Sequence, residues 1–156
     1  DSQSTEQRVF TLEGHSGPIR PIAWSIDGSL LASSVSVVRA PGQCVLPLHI
    51  NSPDFLQFDK VNSDHLRTRT GTLDIGSIAS VTFMPHRIIL SPKQYGYGLS
   101  HDLSWITYNE VNLLWLPTEF RPQGSSRFAM SATNLATGCS SGHVIFLTLR
   151  ERGPVE

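Results

Sequence analysis

Helical periodicity is almost absent from this sequence, and that single property removes most of the folds open to a chain of its length. Apolar runs are short, rich in Val, Ile, Leu and aromatic residues, and broken by clusters of Gly, Pro, Asn, Asp and Ser. Arg8–Leu12 reads as a strand ending at Glu13-Gly14-His15. Ile19–Trp24 and Leu30–Ser34 follow, joined by Ser25-Ile26-Asp27-Gly28, a hairpin signal because Gly accepts the positive φ such turns need. Cys44–Ile50 reads as a strand despite Pro47, which suits an edge or a bulge better than a central strand. Phe55–Phe58 and His65–Thr70 flank the polar turn Lys60–Asp64, and Pro85, Pro92, Gly96 and Gly98 mark residues 84–98 as a surface loop. Ser104–Tyr108 and Asn112–Leu116 flank Asn109-Glu110, and Pro117, Pro122 and Gly124 punctuate the next connection. Phe128–Met130, Asn134–Thr137, a turn at Cys139–Gly142 and Val144–Leu149 complete about ten short strands in antiparallel succession. The class is all-β, and a sandwich, a barrel or a propeller fits this pattern.

Composition narrows the function. Twelve Lys and Arg against thirteen Asp and Glu give a net charge of -1, which leaves no footprint for nucleic acid or an anionic membrane. Cys44 and Cys139 stand far apart with no metal-ligand spacing, so two reduced thiols in a cytoplasmic protein are expected. No apolar run approaches the ~18 residues of a membrane-spanning helix. The N-terminus has neither an initiator Met nor a signal-peptide core, and the pattern opens mid-strand; the chain is expected to be a fragment.

Thr11–Ser33, TLEGHSGPIRPIAWSIDGSLLAS, resembles a WD repeat. Gly14-His15 matches the pair that opens a blade, Trp24-Ser25-Ile26-Asp27-Gly28 the aromatic-Ser-x-Asp-Gly turn, and Leu31-Ala32-Ser33 the strand after it. A repeat of ~40–45 residues gives this chain room for about three to four. The resemblance implies a buried network from His15 to a Ser of the second strand, Ser33 or Ser34. The pattern then departs: Ser34 to Cys44 lacks the acidic turn and closing Trp-Asp, short by about one strand. A deletion or mis-spliced segment between Val35 and Gly42 is expected to leave the first blade without its outer strands or with an irregular loop; the alternative is a naturally degenerate blade. Thr68–Ile75, Tyr97–Pro122 and Leu135–Phe146 resemble the degenerate final blades of filamentous-fungal NACHT-domain WD-repeat proteins, receptors of which some act in vegetative incompatibility. Gly71, Trp105, Trp115, Pro117 and the Gly138–Gly142 turn carry that likeness. It implies a partial WD-repeat propeller of about three blades, degenerate toward the C-terminus. Its parts are a truncated repeat (8–46), a degenerate blade (47–83), the loop (84–98) and terminal blades (99–150). Nucleotide hydrolysis in such receptors belongs to another domain, and no GxxxxGK[ST] occurs here.

Gly138-Cys139-Ser140-Ser141-Gly142 fits the GxSxG of a hydrolase elbow with Ser140 as nucleophile, which would need a helix after Gly142. The residues after it alternate like a strand, so a hairpin turn is expected. Gly96-Tyr97-Gly98 lacks the third Gly of a dinucleotide fingerprint and reads as loop. Gly14, His15, Trp24, Asp27, Gly28, Ser33, Trp105, Trp115, Gly138 and Gly142 are therefore expected to be structural, the tryptophans as core. No catalytic, cofactor or metal residue is expected. The expected function is non-catalytic recognition of a protein partner or of upstream repeats; the alternatives are a small serine hydrolase using Ser140, or a truncated remnant without function.

Overall fold

The computed structural model describes residues 21–33, 36–39, 43–47, 55–76, 93–123 and 127–150. Arg8–Leu12, Gly14, His15 and Ser34 lie outside them. Among the described residues fourteen strands form four antiparallel sheets, each a meander of sequence neighbours. The first holds β1 (Ile22–Trp24), β2 (Leu30–Ser33), β3 (Ser36–Arg39) and β4 (Gln43–Pro47). The second holds β5 (Leu56–Phe58), β6 (His65–Thr68), β7 (Gly71–Asp74) and β8 (Gln94–Tyr95). The third is β9 (Tyr97–Leu99), β10 (Trp105–Tyr108) and β11 (Val111–Trp115), and the fourth β12 (Phe128–Met130), β13 (Asn134–Gly138) and β14 (Val144–Thr148). A 3-10 turn spans Thr118–Phe120, and Ile75 and Gly76 take helical geometry at the end of their described run. The fold is all-β, and its small meander sheets are consistent with the blades of a partial propeller.

Alternation builds the cores. On β5, β6 and β7, Leu56, Phe58, Leu66 and Leu73 point to one face and pack with Leu30, Ala32 and Val37 of the first sheet. Gln57, His65, Arg67, Thr72 and Tyr95 take the opposite face. A second core joins Tyr97, Leu99 and Ile106 of the third sheet to Phe128, Met130 and Leu135 of the fourth. Leu66, Leu73, Leu99, Ile106 and Leu135 are fully buried, each contributing about 2 kcal/mol. The second and third sheets meet where the Leu99 N–H donates to the Arg69 carbonyl at 2.8 Å. Gly98 permits this approach: a Cβ there would lie 2.2 Å from the Thr70 carbonyl oxygen.

Two expectations need correction. The segment after Ser33 does not leave the first sheet short, because Val37 pairs with Ala32 and Leu46, completing four strands. A strand needs only alternating backbone pairing, and a register shift at Val37/Val38 absorbs the irregular spacing. Among the described residues β4 pairs with β3 alone, which places Pro47 on an edge strand. Residues 84–98 are not loop throughout, since β8 and β9 fall within them. Gly96, at φ 74°, is the kink between these strands, and Gly98 serves close packing inside β9.

Candidate functional site

The Ser25–Leu30 turn that joins β1 to β2 has a twin. The Ser25 hydroxyl donates to Asp27 Oδ1 at 2.6 Å, the Ser29 N–H donates to the same oxygen at 3.1 Å, and the Ser29 hydroxyl donates to both carboxylate oxygens. Ser25 Oγ in turn accepts the Leu30 N–H at 2.9 Å. Between β9 and β10, Ser100-His101-Asp102-Leu103-Ser104-Trp105 repeats this arrangement. Ser100 donates to Asp102 Oδ1 at 2.6 Å, the Ser104 N–H to Oδ1 at 3.2 Å, and the Ser104 hydroxyl to Oδ2. Ser100 Oγ accepts the Trp105 N–H at 2.9 Å. The backbone closes alike, Ser25 N–H to Leu30 O and Ser100 N–H to Trp105 O, both at 2.9 Å. Leu103 adopts φ 63° where Gly28 has φ 69°. The Ser25 hydroxyl and Ser29 groups hold Asp27 down to about 2, and Ser100 and Ser104 do the same for Asp102. The signal was present as S-x-D-x-S in both segments, but Leu at the positive-φ position concealed the second copy.

Of the residues expected to be structural, Asp27 and Gly28 lie in the first turn, and Ser33 is buried at the far end of β2, opposite Ile22. Gly138 ends β13, and Gly142, at φ 83°, closes the β13–β14 turn. Trp105 and Trp115 are cross-strand partners on β10 and β11. The tryptophans are not core residues. Trp24 is 57% and Trp115 50% exposed, and Trp105 is half-buried. On β1 the inward position belongs to Ala23, so period two sends Trp24 and Ile22 to the opposite face, which no described sheet covers. Phe146 and Val144 of β14 are likewise 66% and 70% exposed.

A groove of about 590 Å³ lies between β5 and the fourth sheet, lined by Phe55, Gln57, Ala129, Ala136 and Phe146 among others. Phe55 closes one end by packing edge-on against Phe128, with ring centroids 5.6 Å apart. A smaller pocket of about 150 Å³ holds Asp59, His65, Arg67, Thr72 and Tyr95. There Arg67 Nη2 donates to Asp59 Oδ2 at 2.6 Å. The Val61 N–H, chiefly, keeps Asp59 below the usual carboxylate range, while burial pushes Tyr95 up. The Asp59–Arg67 pair is thus committed to structure.

Ser140 occupies an exposed turn, and β14 follows it directly, paired with β13 from Gly138↔Val144 to Asn134↔Thr148. A nucleophile elbow needs a helix whose N-terminus faces the developing oxyanion, and that element is replaced by a strand. Ser141 Oγ lies 3.0 Å from His143 Nδ1 in the same exposed turn. Among the described residues no group of three His, Cys, Asp or Glu could hold a metal ion.

The chain is 37% identical over 97 residues to vegetative incompatibility protein HET-E-1 of Podospora anserina. The match covers 62% of this chain and spans 7% of the length of that protein. It supports a WD-repeat-type region. No family model and no solved structure matches the chain. Among the described residues no helix is long and apolar enough to cross a membrane.

Proposed function

We propose that this chain is a non-catalytic protein-interaction region, a WD-repeat scaffold or sensor within a longer, cytoplasmic, fungal receptor of the NACHT type. The observation that carries the reading is the Ser-x-Asp-x-Ser turn built twice, with the same closing bonds, in two separate sheets. It marks a repeat architecture, and the relative at 37% identity is named for vegetative incompatibility. Repeated sheets form a rigid base whose open faces and loops vary with the partner. The exposed faces at Ile22–Trp24 and Val144–Phe146 are uncharged and apolar, which suits the packing of upstream repeats or a protein ligand and not the binding of nucleic acid.

A photo-crosslinking residue in place of Trp24 or Phe146 tests this in the longer polypeptide. The expected product is a crosslink to a protein segment, either a neighbouring repeat or a separate protein. Absence of protein crosslinks at both positions, together with ester hydrolysis lost in Ser140→Ala, would instead establish the hydrolase.

A further inference from the structure

The third sheet carries an edge that its counterparts cover. In the first two sheets the outer side of the third strand is paired, β4 on β3 and β8 on β7. The twin turns make β9, β10 and β11 the counterparts of β1, β2 and β3, yet β11 has no strand beyond it among the described residues. The connection that leaves it runs through Pro117, the 3-10 turn and Pro122, and proline cannot donate to a ladder. All five residues of β11 are exposed, Val111 by 68% and Leu114 by 46%, and none is charged. Such an edge lacks the lysines and prolines that usually block strand addition.

Charges stand only at its ends, Glu110 before it and, after it, the exposed Glu119 of the 3-10 turn and Arg121, of which Arg121 is the one folded onto the strand. Glu110 precedes β11 in the β10–β11 turn, exposed and at φ 66°. At the other end Arg121 folds back so that its guanidinium lies 5.4 Å from the Trp115 ring centre, with Nε donating to the Leu116 carbonyl at 2.9 Å. An edge with an anion at its start and a cation at its finish is complementary to an antiparallel copy of itself. We infer that β11 pairs with β11 of a second copy of this chain, making one six-stranded sheet about a two-fold axis. The register shift on β11 leaves Val111–Asn112 and Leu114–Trp115 as two arms around Leu113. The axis passes through Leu113, so each arm meets the other arm of the partner strand. Glu110 of each copy then faces Arg121 of the other, and Trp115 covers Val111 across the seam. Such an interface is isologous and closes at two chains.

Sedimentation of the full chain with charge reversals tests the pairing. Glu110→Arg and Arg121→Glu should each weaken the dimer at least about tenfold, because each creates two like-charge contacts. An equimolar mixture of the two variants should restore a dimer, now heteromeric, and Asn112→Pro should abolish it. Val61→Ser, in an exposed turn of another sheet, should leave it unchanged. A dimer that persists in both single variants, fails to return on mixing, or responds to Val61→Ser in place of Asn112→Pro would overturn the inference. An added extended peptide that binds β11 to a monomeric chain would also overturn it.

Discussion

A carboxylate that accepts a hydroxyl and a backbone N–H from residues two positions away can close a turn using local atoms alone. Asp27 and Asp102 both do so, and the short segments Ser25–Leu30 and Ser100–Trp105 therefore keep their geometry in different surroundings. Each depressed carboxyl has a stated pH consequence. Its folded value lies below the ordinary value of 3.8, so its contribution is full above that value and is lost as pH falls toward about 2. Denaturant melts at pH 4.5 and 2.5 should show a loss of stability that is smaller in the double variant Asp27→Asn, Asp102→Asn. Ser25 and Ser100 each donate one bond and accept another. Ser25→Ala and Ser100→Ala should each cost about 1 kcal/mol in urea unfolding, because a strand-opening N–H loses its acceptor. The first turn was legible because Gly28 announces a positive φ. The second was not, because Leu103 adopts the same backbone without a residue that favours it.

At the level of the element, strand positions were readable where β-branched and aromatic residues cluster between turn residues, as at Ile22–Trp24, Trp105–Tyr108 and Val144–Thr148. Reading failed where backbone pairing prevails over composition. β3 lies just before Pro41 and Gly42, and β8 and β9 flank a glycine kink. Partner strands supply the order there, and partner strands are invisible to a local pattern. Gly98 shows this most sharply, its role set by the Thr70 carbonyl from another sheet. Gly98→Ala should destabilise the chain by about 3 kcal/mol or prevent folding, read by thermal unfolding, because a backbone carbonyl cannot yield to a methyl group. Leu135→Ala, which empties a fully buried position between the third and fourth sheets, should cost about 3 kcal/mol.

For the whole molecule, two cores bind the sheets in pairs, while Ile22 and Trp24 at one end and Val144 and Phe146 at the other face outward. These positions explain why the tryptophans looked like core in the sequence: their spacing is that of buried strand positions, and burial depends on a neighbour that no strand pattern contains. Trp24→Ser should change the stability of the isolated chain by less than about 0.5 kcal/mol, as for an exposed position, while improving its solubility. The central claim is that these open faces are interaction surfaces of a repeat array. Hydrogen exchange read by mass spectrometry, on the chain alone and joined to repeats preceding it in a longer polypeptide, tests this most directly. The account predicts that joining slows exchange at Ile22–Trp24 and at Val144–Thr148. Unchanged exchange at both, with cooperative unfolding of a monodisperse chain on its own, would show that the faces need no neighbour and contradict it.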